Sequence, residues 1–383
     1  MRRILFVANK YPNSVDPNGL VFLQQLIWEM ADNGVECTVI CPLAINLNPK
    51  YINVRHHIVE KTENGNKVNV FFPKFFGLGQ SHYIFGKSPV NITTSLFTKS
   101  IFRTIERNNI KFDLVYGHFT APAGVASSRI GKKYNIPSFF AHGESTSWSI
   151  DQFGKEKLKE EFKNITGVIA VSKRNKDLLL LNDIVDESKI EIFPNGYRKE
   201  RFYMIDKKEA RAHFGWDNQK FIVGFCGSFD ERKGVLRLQE AIDMIDDKNV
   251  VFACAGKGKL MPTSKKCILK EPINNDELVY FYNAIDVFCL PTKNEGCCNA
   301  IVEAMACGCP IISSDISFNY DILDDSNALL IDPDNVSEIK KSILDINNSK
   351  DGIMRMSENS LIKAKNLTLK KRAKKILKYL YEI

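Results

Sequence analysis

"RILFVANKYPNSVDPNGLVFLQQLIWEMADNGVECTVICP", residues 3–42, decides the fold. Its opening "RILFVA" (3–8) is an apolar run of the kind that forms a fully buried strand. A loop holding Pro12, Pro17 and Gly19 follows. Phe22, Leu23, Leu26, Ile27 and Met30 then recur at helical spacing until Gly34 ends the pattern. "ECTVICP" (36–42) is a second strand, which completes a βαβ unit. Strands joined through a helix run parallel, and open parallel sheets bind ligands beyond the carboxyl ends of their strands, here at the loop carrying Gly19.

The same alternation continues through "FDLVYGHF" (112–119), "IPSFFAHGE" (136–144), "GVIAVS" (167–172) and "IEIFPNG" (190–196). A second series runs through "KFIVGFCGSF" (220–229), "VVFACAGKG" (250–258), "AIDVFCLPT" (284–292), "CPIISSD" (309–315) and "ALLIDP" (328–333). Strands that are apolar throughout are covered on both faces, so the class is α/β, with two doubly wound parallel sheets in succession. Residues 197–219 are polar, charged and strandless, which places the boundary there and predicts domains over 1–197 and 198–367. From about Thr368 a last helix puts Leu369, Ala373, Ile376, Leu377 and Leu380 on one face. Lys370, Lys371, Arg372, Lys374, Lys375 and Lys378 are expected to give it a basic side in water.

The 383 residues are 44% hydrophobic, enough for two cores, and 26% charged with a net charge of +8. Such mild basicity suits an anionic ligand or a membrane surface no less than a nucleic acid, and a nucleic-acid role has no other support. The ten cysteines include no Cys-x-x-Cys pair and read as reduced and structural. The amino-terminal apolar stretch is too short for a signal peptide and no run is long enough to cross a bilayer, so a cytoplasmic protein is expected, at most peripheral on the inner face of the membrane.

"PTKNEGCCNAIVEAMACGCPIISSD" (291–315) carries the chemistry. On one continuous helix Glu295 and Glu303 would be roughly 80° apart in azimuth and about 12 Å apart along the axis, so they would not act as a pair. Gly296 follows Glu295 directly, Asn299 suits an N-cap, and Gly308-Cys309-Pro310 is a stop, so the helix should run from Asn299 to Cys307. Glu295 then lies in the loop and Glu303 one turn inside. The amides of Gly296, Cys297, Cys298 and Asn299 mark a positive helix tip between two acceptors. A diphosphate joining a sugar to a ribose fits there, with Glu295 on the sugar and Glu303 on the ribose. A surface helix with incidental glutamates fits the spacing as well.

Several motifs in order break that tie. The 291–315 stretch resembles the donor motif of the family 4 retaining glycosyltransferases, which have the GT-B fold: Glu, seven residues, Glu, then Ala-Met-Ala-x-Gly-x-Pro. "YPNSVDPNG" with Gly19 resembles the family's glycine loop, "DLVYGHFTAPAG" its active-site histidine segment, and "GSFDERKG" its phosphate segment. The resemblance implies two Rossmann-like domains facing across a cleft, an acceptor domain first and a nucleotide-sugar domain second, with the last helix, 368–383, returning to the first. It implies transfer of a hexose from a UDP- or GDP-sugar to a hydroxyl of a glycan or polyprenyl-linked acceptor, with retention, in surface-polysaccharide synthesis. His118, Glu295 and Lys233 are then the catalytic residues, and no cofactor or metal is expected.

Two departures stand out. Ser228 replaces the usual family arginine, with Arg232 a substitute, and Tyr116 replaces the first histidine of His-x-His. His142 and Glu144 resemble a segment near the acceptor, or are satisfied polar groups at a strand end. Asp332-Pro-Asp334 spells Asp-x-Asp in a turn away from the chemistry. Cys297 and Cys298, beside a helix N-terminus, are either two small residues in a tight loop or thiols of lowered pKa that donor would shield. The aromatics of 71–87, including Phe75, Phe76, Tyr83 and Phe85, read as a core strand and loop or, together with Arg103, Arg107, Arg129, Lys132 and Lys133, as a contact with anionic lipid. The rival readings are a sugar-nucleotide epimerase or phosphorylase of the same architecture, or a non-catalytic nucleotide-sugar-binding subunit.

Overall fold

The computed structural model describes residues 2–78 and 88–382. The chain forms two compact units, one of residues 1–193 with 372–383 and one of residues 194–371. The division falls at Phe193/Pro194, a few residues before the polar stretch. That stretch is not a bare linker: Lys207–Phe214 is a helix capped by Asp206, whose carboxylate accepts from the amides of Lys208 and Glu209. Buried Arg211 on this helix donates to Asp286 (2.6 Å) and to the carbonyls of Ala284 and Asn218, while Asp286 accepts from the Ile222 amide. The buried charge is thus met on all sides, and it fastens the helix to the second sheet.

The first unit holds strands β1 (Arg2–Ala8), β2 (Val35–Ile40), β3 (Leu43–Ala44), β4 (His57–Lys61), β5 (Lys67–Phe71), β6 (Lys74–Phe75), β7 (Leu114–His118), β8 (Ser138–His142), β9 (Gly167–Ala170) and β10 (Ile190–Ile192). Eight of them form one sheet in the order β10-β9-β8-β7-β1-β2-β5-β4, parallel except for the β4–β5 pair. That antiparallel edge hairpin is absent from the sequence reading because it is charged and partly exposed, although Asn64-Gly65, with Gly65 at φ 81, marks its bend. Asp32 holds the bend by accepting from Asn64 and Asn66 (2.8 Å each). Leu5, Val7 and Val115 pack with Phe97, Ile101 and Ile105 of helix Val90–Arg107 in one core cluster. Each such side chain contributes about 1.5–3 kcal/mol of burial.

The second unit holds β11 (Phe221–Cys226), β12 (Val250–Ala255), β13 (Cys267–Glu271), β14 (Val287–Leu290), β15 (Ile311–Ser314) and β16 (Ala328–Ile331), a wholly parallel sheet in the order β13-β12-β11-β14-β15-β16. β13 escapes the sequence reading because it is a largely exposed edge strand with no apolar run. In both sheets the first strand lies between strands reached by opposite routes: β1 between β2 and β7, β11 between β12 and β14. The carboxyl ends of β1/β7 and of β11/β14 are therefore the switch points where such sheets open a crevice.

The last helix spans Leu369–Glu382, and its expected apolar face is buried. Arg372, expected in water, is buried instead, with its Nε 3.4 Å from the Phe193 carbonyl. Tyr379 donates to the Lys189 carbonyl at 2.6 Å, and a Cβ on Gly167 would lie 2.5 Å from its hydroxyl. Two cations expected to extend a basic face are paired: Arg129 with Glu161, and Lys133 with Glu106 at 2.6 Å. Tyr83, Phe85 and Lys87 lie outside the described residues.

Candidate functional site

At the switch point of the second sheet, the loop after β11 brings Lys233 to Glu295, which lies in the loop after β14. Gly234 makes the turn possible: it sits at φ 81, and a Cβ there would lie 2.5 Å from the Pro291 carbonyl. Lys233 Nζ lies 2.7 Å from Glu295 Oε1, and its backbone amide donates to Asp230, which also accepts from Ser228. Arg232 Nη1 donates to the same Glu295 oxygen and to the Asn294 carbonyl, and Thr292 adds its hydroxyl at 3.0 Å. Burial opposes the charge on Lys233, but Cys298 and Glu295 beside it outweigh that cost and hold its pKa above the ordinary value. Two cations thus converge on one carboxylate.

Helix Asn299–Ala306 begins directly after this cluster. Its N-cap is Cys298, with no side-chain cap, so Asn299 is the first helical residue rather than the cap. The Asn299 side chain is engaged elsewhere: its Oδ1 accepts from Asn195, which also donates to the Cys297 carbonyl at 2.9 Å. Gly296, Cys297 and Cys298 are buried. The Cys298 thiol is pushed up, not down, because burial outweighs the nearby ammonium of Lys233, 3.8 Å from the sulfur. One turn into the helix, Glu303 accepts from the buried Tyr282 hydroxyl at 3.0 Å. Burial pushes its carboxyl up to about 7. Asp332 and Asp334 are engaged in their own turn, where Asp334 pairs with Lys293 at 2.7 Å.

At the switch point of the first sheet, β7 ends on His118. The backbone there is crowded, since a Cβ on Gly117 would lie 2.5 Å from the Ala123 carbonyl. His118 is buried, with the rings of Phe119 and Phe22 4.6 and 5.5 Å away, and neither ring nitrogen has a hydrogen-bond partner among the described residues. Burial, with the charge of Arg372 adding to it, pushes its pKa down to about 3, so the imidazole is neutral. Asn9, at the end of β1, donates to the Ala121 carbonyl and accepts from the Ala123 amide, tying the Gly19 loop to the turn after His118. Gly19 is buried under Asp16, which would lie 2.8 Å from a Cβ there.

His142 and Glu144 are bound to each other at 2.8 Å. Glu144 also accepts from the amides of Thr120 (2.8 Å) and Gly143 (3.1 Å) and from the Ser149 hydroxyl. Burial pushes this carboxyl up, but His142 and the Thr120 amide outweigh it and hold it at about 2. The pair braces the turn that follows His118.

The sequence matches "Glycosyl transferases group 1" over residues 206–363, within the second unit, and "Glycosyltransferase Family 4" over residues 21–201, most of the first unit and the start of the second. It is 25% identical over 353 residues, 89% of this chain and 88% of the other, to the putative teichuronic acid biosynthesis glycosyltransferase TuaC of Bacillus subtilis. The chain belongs to the family 4, group 1 glycosyltransferases. An Escherichia coli relative, UDP-Gal:alpha-D-GlcNAc-diphosphoundecaprenol alpha-1,3-galactosyltransferase, is 26% identical over 57% of this chain and 62% of its own. Anabaena HepE, solved in complex with UDP, superposes over 100% of both chains with a TM-score of 0.75 at 15% identity. The glycosyltransferase therefore has the GT-B fold.

Sequence reasoning passed over four residues: in this glycosyltransferase Asn9 and Arg372 shape the switch point of the first unit, and Asn195 and Tyr282 that of the second. Asn9 and Asn195 each stand in a loop after a strand, a position that favours ligand or turn contacts. Tyr282 lies within an apolar helix and Arg372 within a basic run, so nothing local sets them apart.

Proposed function

We propose that this glycosyltransferase moves a hexose from a UDP- or GDP-sugar to a hydroxyl of a glycan or polyprenyl-linked acceptor, with retention at the anomeric carbon and without a metal or other cofactor. One observation carries the reading: Lys233 and Arg232 converge on Glu295 at the second sheet's switch point, beside a helix start that no side chain caps. The chemistry of that group suits a diphosphate. Lys233, Arg232 and the first helix amides bind the phosphates, Ser228 lies beside them, Glu295 is released to the sugar hydroxyls, and Glu303 takes the ribose.

As the bond between the anomeric carbon and the phosphate oxygen breaks, negative charge grows on the departing diphosphate, where the two cations stabilise it. The acceptor oxygen bonds the anomeric carbon from the same face, and its proton passes to the departing phosphate oxygen. No second carboxylate is needed on the opposite face, unlike a hydrolase pair. The family resemblance assigns His118 to the donor sugar and its phosphate. A neutral imidazole has one N–H to donate there. The UDP held by the HepE structure and the diphosphoundecaprenol in the name of the Escherichia coli relative support the donor and acceptor classes. No helix among the described residues is long and apolar enough to cross a membrane, so a lipid-linked acceptor would be met by peripheral contact.

The test is a panel of UDP- and GDP-sugars, first for thermal stabilisation and then for transfer to a polyprenyl-diphosphate sugar, with the product anomer read by NMR. One donor should stabilise the protein and give a retained product in EDTA. An inverted product, restoration by a divalent ion after loss in EDTA, or conversion of the nucleotide sugar without acceptor would each overturn the corresponding part of the reading.

A further inference from the structure

Helix Val90–Arg107 buries Phe97, Ile101 and Ile105 and turns a different row outward: Lys99, Arg103 and Arg107, each four residues from the next, all exposed. Like charges at that spacing repel along a helix, so the row costs stability unless an anion meets it. None of the three has a hydrogen-bond or ion-pair partner among the described residues, whereas Arg129 and Lys133 in the same unit are paired with carboxylates. The row lines a groove of about 750 Å³ whose far side carries Lys74, and no carboxylate is among its lining residues. Residues 79–87, next in the chain after Leu78, contain no Asp or Glu either.

Lys74 gives two of its three N–H donors to the carbonyls of Val54 and Phe72, at 3.3 Å for the latter, which fixes the ammonium at the wall. Burial first, and then the charges of Lys74, His57 and Arg107, hold the lining His56 below its ordinary pKa. The groove is also apolar at its rim. Ile52 is 65% exposed and Phe76 67%, and both line the same space as the cations.

We propose that this groove receives the phosphate of an anionic lipid headgroup at a bilayer surface, with Lys74, Lys99, Arg103 and Arg107 around the phosphate and Ile52 and Phe76 against the chain region. A soluble anion would need the charges and not the exposed apolar rim, and 750 Å³ is far larger than a bare phosphate requires. Cations beside apolar side chains match the boundary between headgroup and chains. The inference extends the peripheral contact with a lipid-linked acceptor suggested above, but it stands on residues remote in sequence from the donor motif.

The test uses the full chain in co-sedimentation with vesicles of phosphatidylcholine alone and with about 30% phosphatidylglycerol, a composition that attracts basic residues. The protein should bind only the anionic vesicles. Arg103→Glu/Arg107→Glu should lower the bound fraction at least about tenfold, and Ile52→Ser/Phe76→Ser should lower it severalfold, while Lys370→Glu/Lys374→Glu on the last helix should leave it within about twofold. Equal binding by the groove variants and the unaltered protein, no binding to anionic vesicles, or full displacement by millimolar inorganic pyrophosphate with no effect of the apolar pair would overturn the proposal. Thermal stabilisation by donor, measured on Arg103→Glu/Arg107→Glu in the same preparation, should be unchanged. Loss of donor binding by the unaltered protein would instead sink the transfer reading and leave the groove standing.

Discussion

Glu144 in the first unit and Glu303 in the second are both half-buried glutamates close to a switch point, yet they titrate in opposite directions, at about 2 and about 7. Burial raises both. Glu144 overcomes it because His142 and the Thr120 and Gly143 amides surround its oxygens, whereas Glu303 has the single hydroxyl of Tyr282. Donors, not depth, decide the charge. The two switch points differ in the same way. In the first unit both ring nitrogens of His118 are left open, as are the Tyr116 hydroxyl and the His142 Nε2 near it among the described residues, while in the second the charged groups of Lys233, Arg232 and Glu295 satisfy one another. A ligand reaching the first finds an open position, and one reaching the second must exchange partners.

The comparison is broken most severely at its most charged point. Lys233→Glu should reduce transfer by at least about 10³-fold in a radiolabelled-sugar assay, since it removes a phosphate contact and sets two carboxylates together. His118→Ala should cost less, about 10²-fold, as the loss of one hydrogen bond made in the transition state. Equal losses would mean that the two units contribute alike.

Stability gives the next test. Glu144→Gln places an amide NH₂ among groups that all donate, and should cost about 1–3 kcal/mol in urea unfolding at neutral pH. Glu144 has a depressed folded pKa, so its contribution is present above the unfolded carboxyl value and is lost as pH falls toward about 2. Glu303 has a raised one, so its contribution is present below the unfolded value and is lost as pH rises through about 7. Glu303→Gln should therefore flatten the fall in stability between about pH 5 and 8 and leave stability at acid pH nearly unchanged. An unchanged slope would show that Glu303 titrates normally.

The smallest effect concerns the cysteines. With its thiol raised by burial, Cys298 should react with iodoacetamide at neutral pH more slowly than an unfolded thiol, with or without donor. Donor-dependent protection from fast alkylation would restore the activated thiol that the helix position suggests.

Most of the fold was legible because its strands are short apolar runs and its helices repeat every three to four residues, so each element states itself within a dozen residues. β4 and β13 were not, since edge strands exposed on one side carry charge and lose the apolar run, and neither was β5, between β2 and β4, whose Lys67 and Asn69 interrupt its apolar residues. The loop position of Glu295 and the helical position of Glu303 followed from Gly296 and from Gly308-Cys309-Pro310, which are local turn chemistry. The capping role of Asn299 did not, because its side chain is drawn away by Asn195, far off in the chain.

By itself, then, the order of residues determined two successive doubly wound sheets, the strand end on which His118 stands, the loops of Lys233 and Glu295, and the apolar face of the last helix. Only the tertiary structure decided that Arg372 is buried with its charge felt at His118, that Glu295 accepts from two cations, and that the two glutamates part in opposite directions. The reason is range: an element forms from neighbours a few residues away, whereas the charge state of a buried group is set by whichever donors the fold brings beside it from anywhere in the chain.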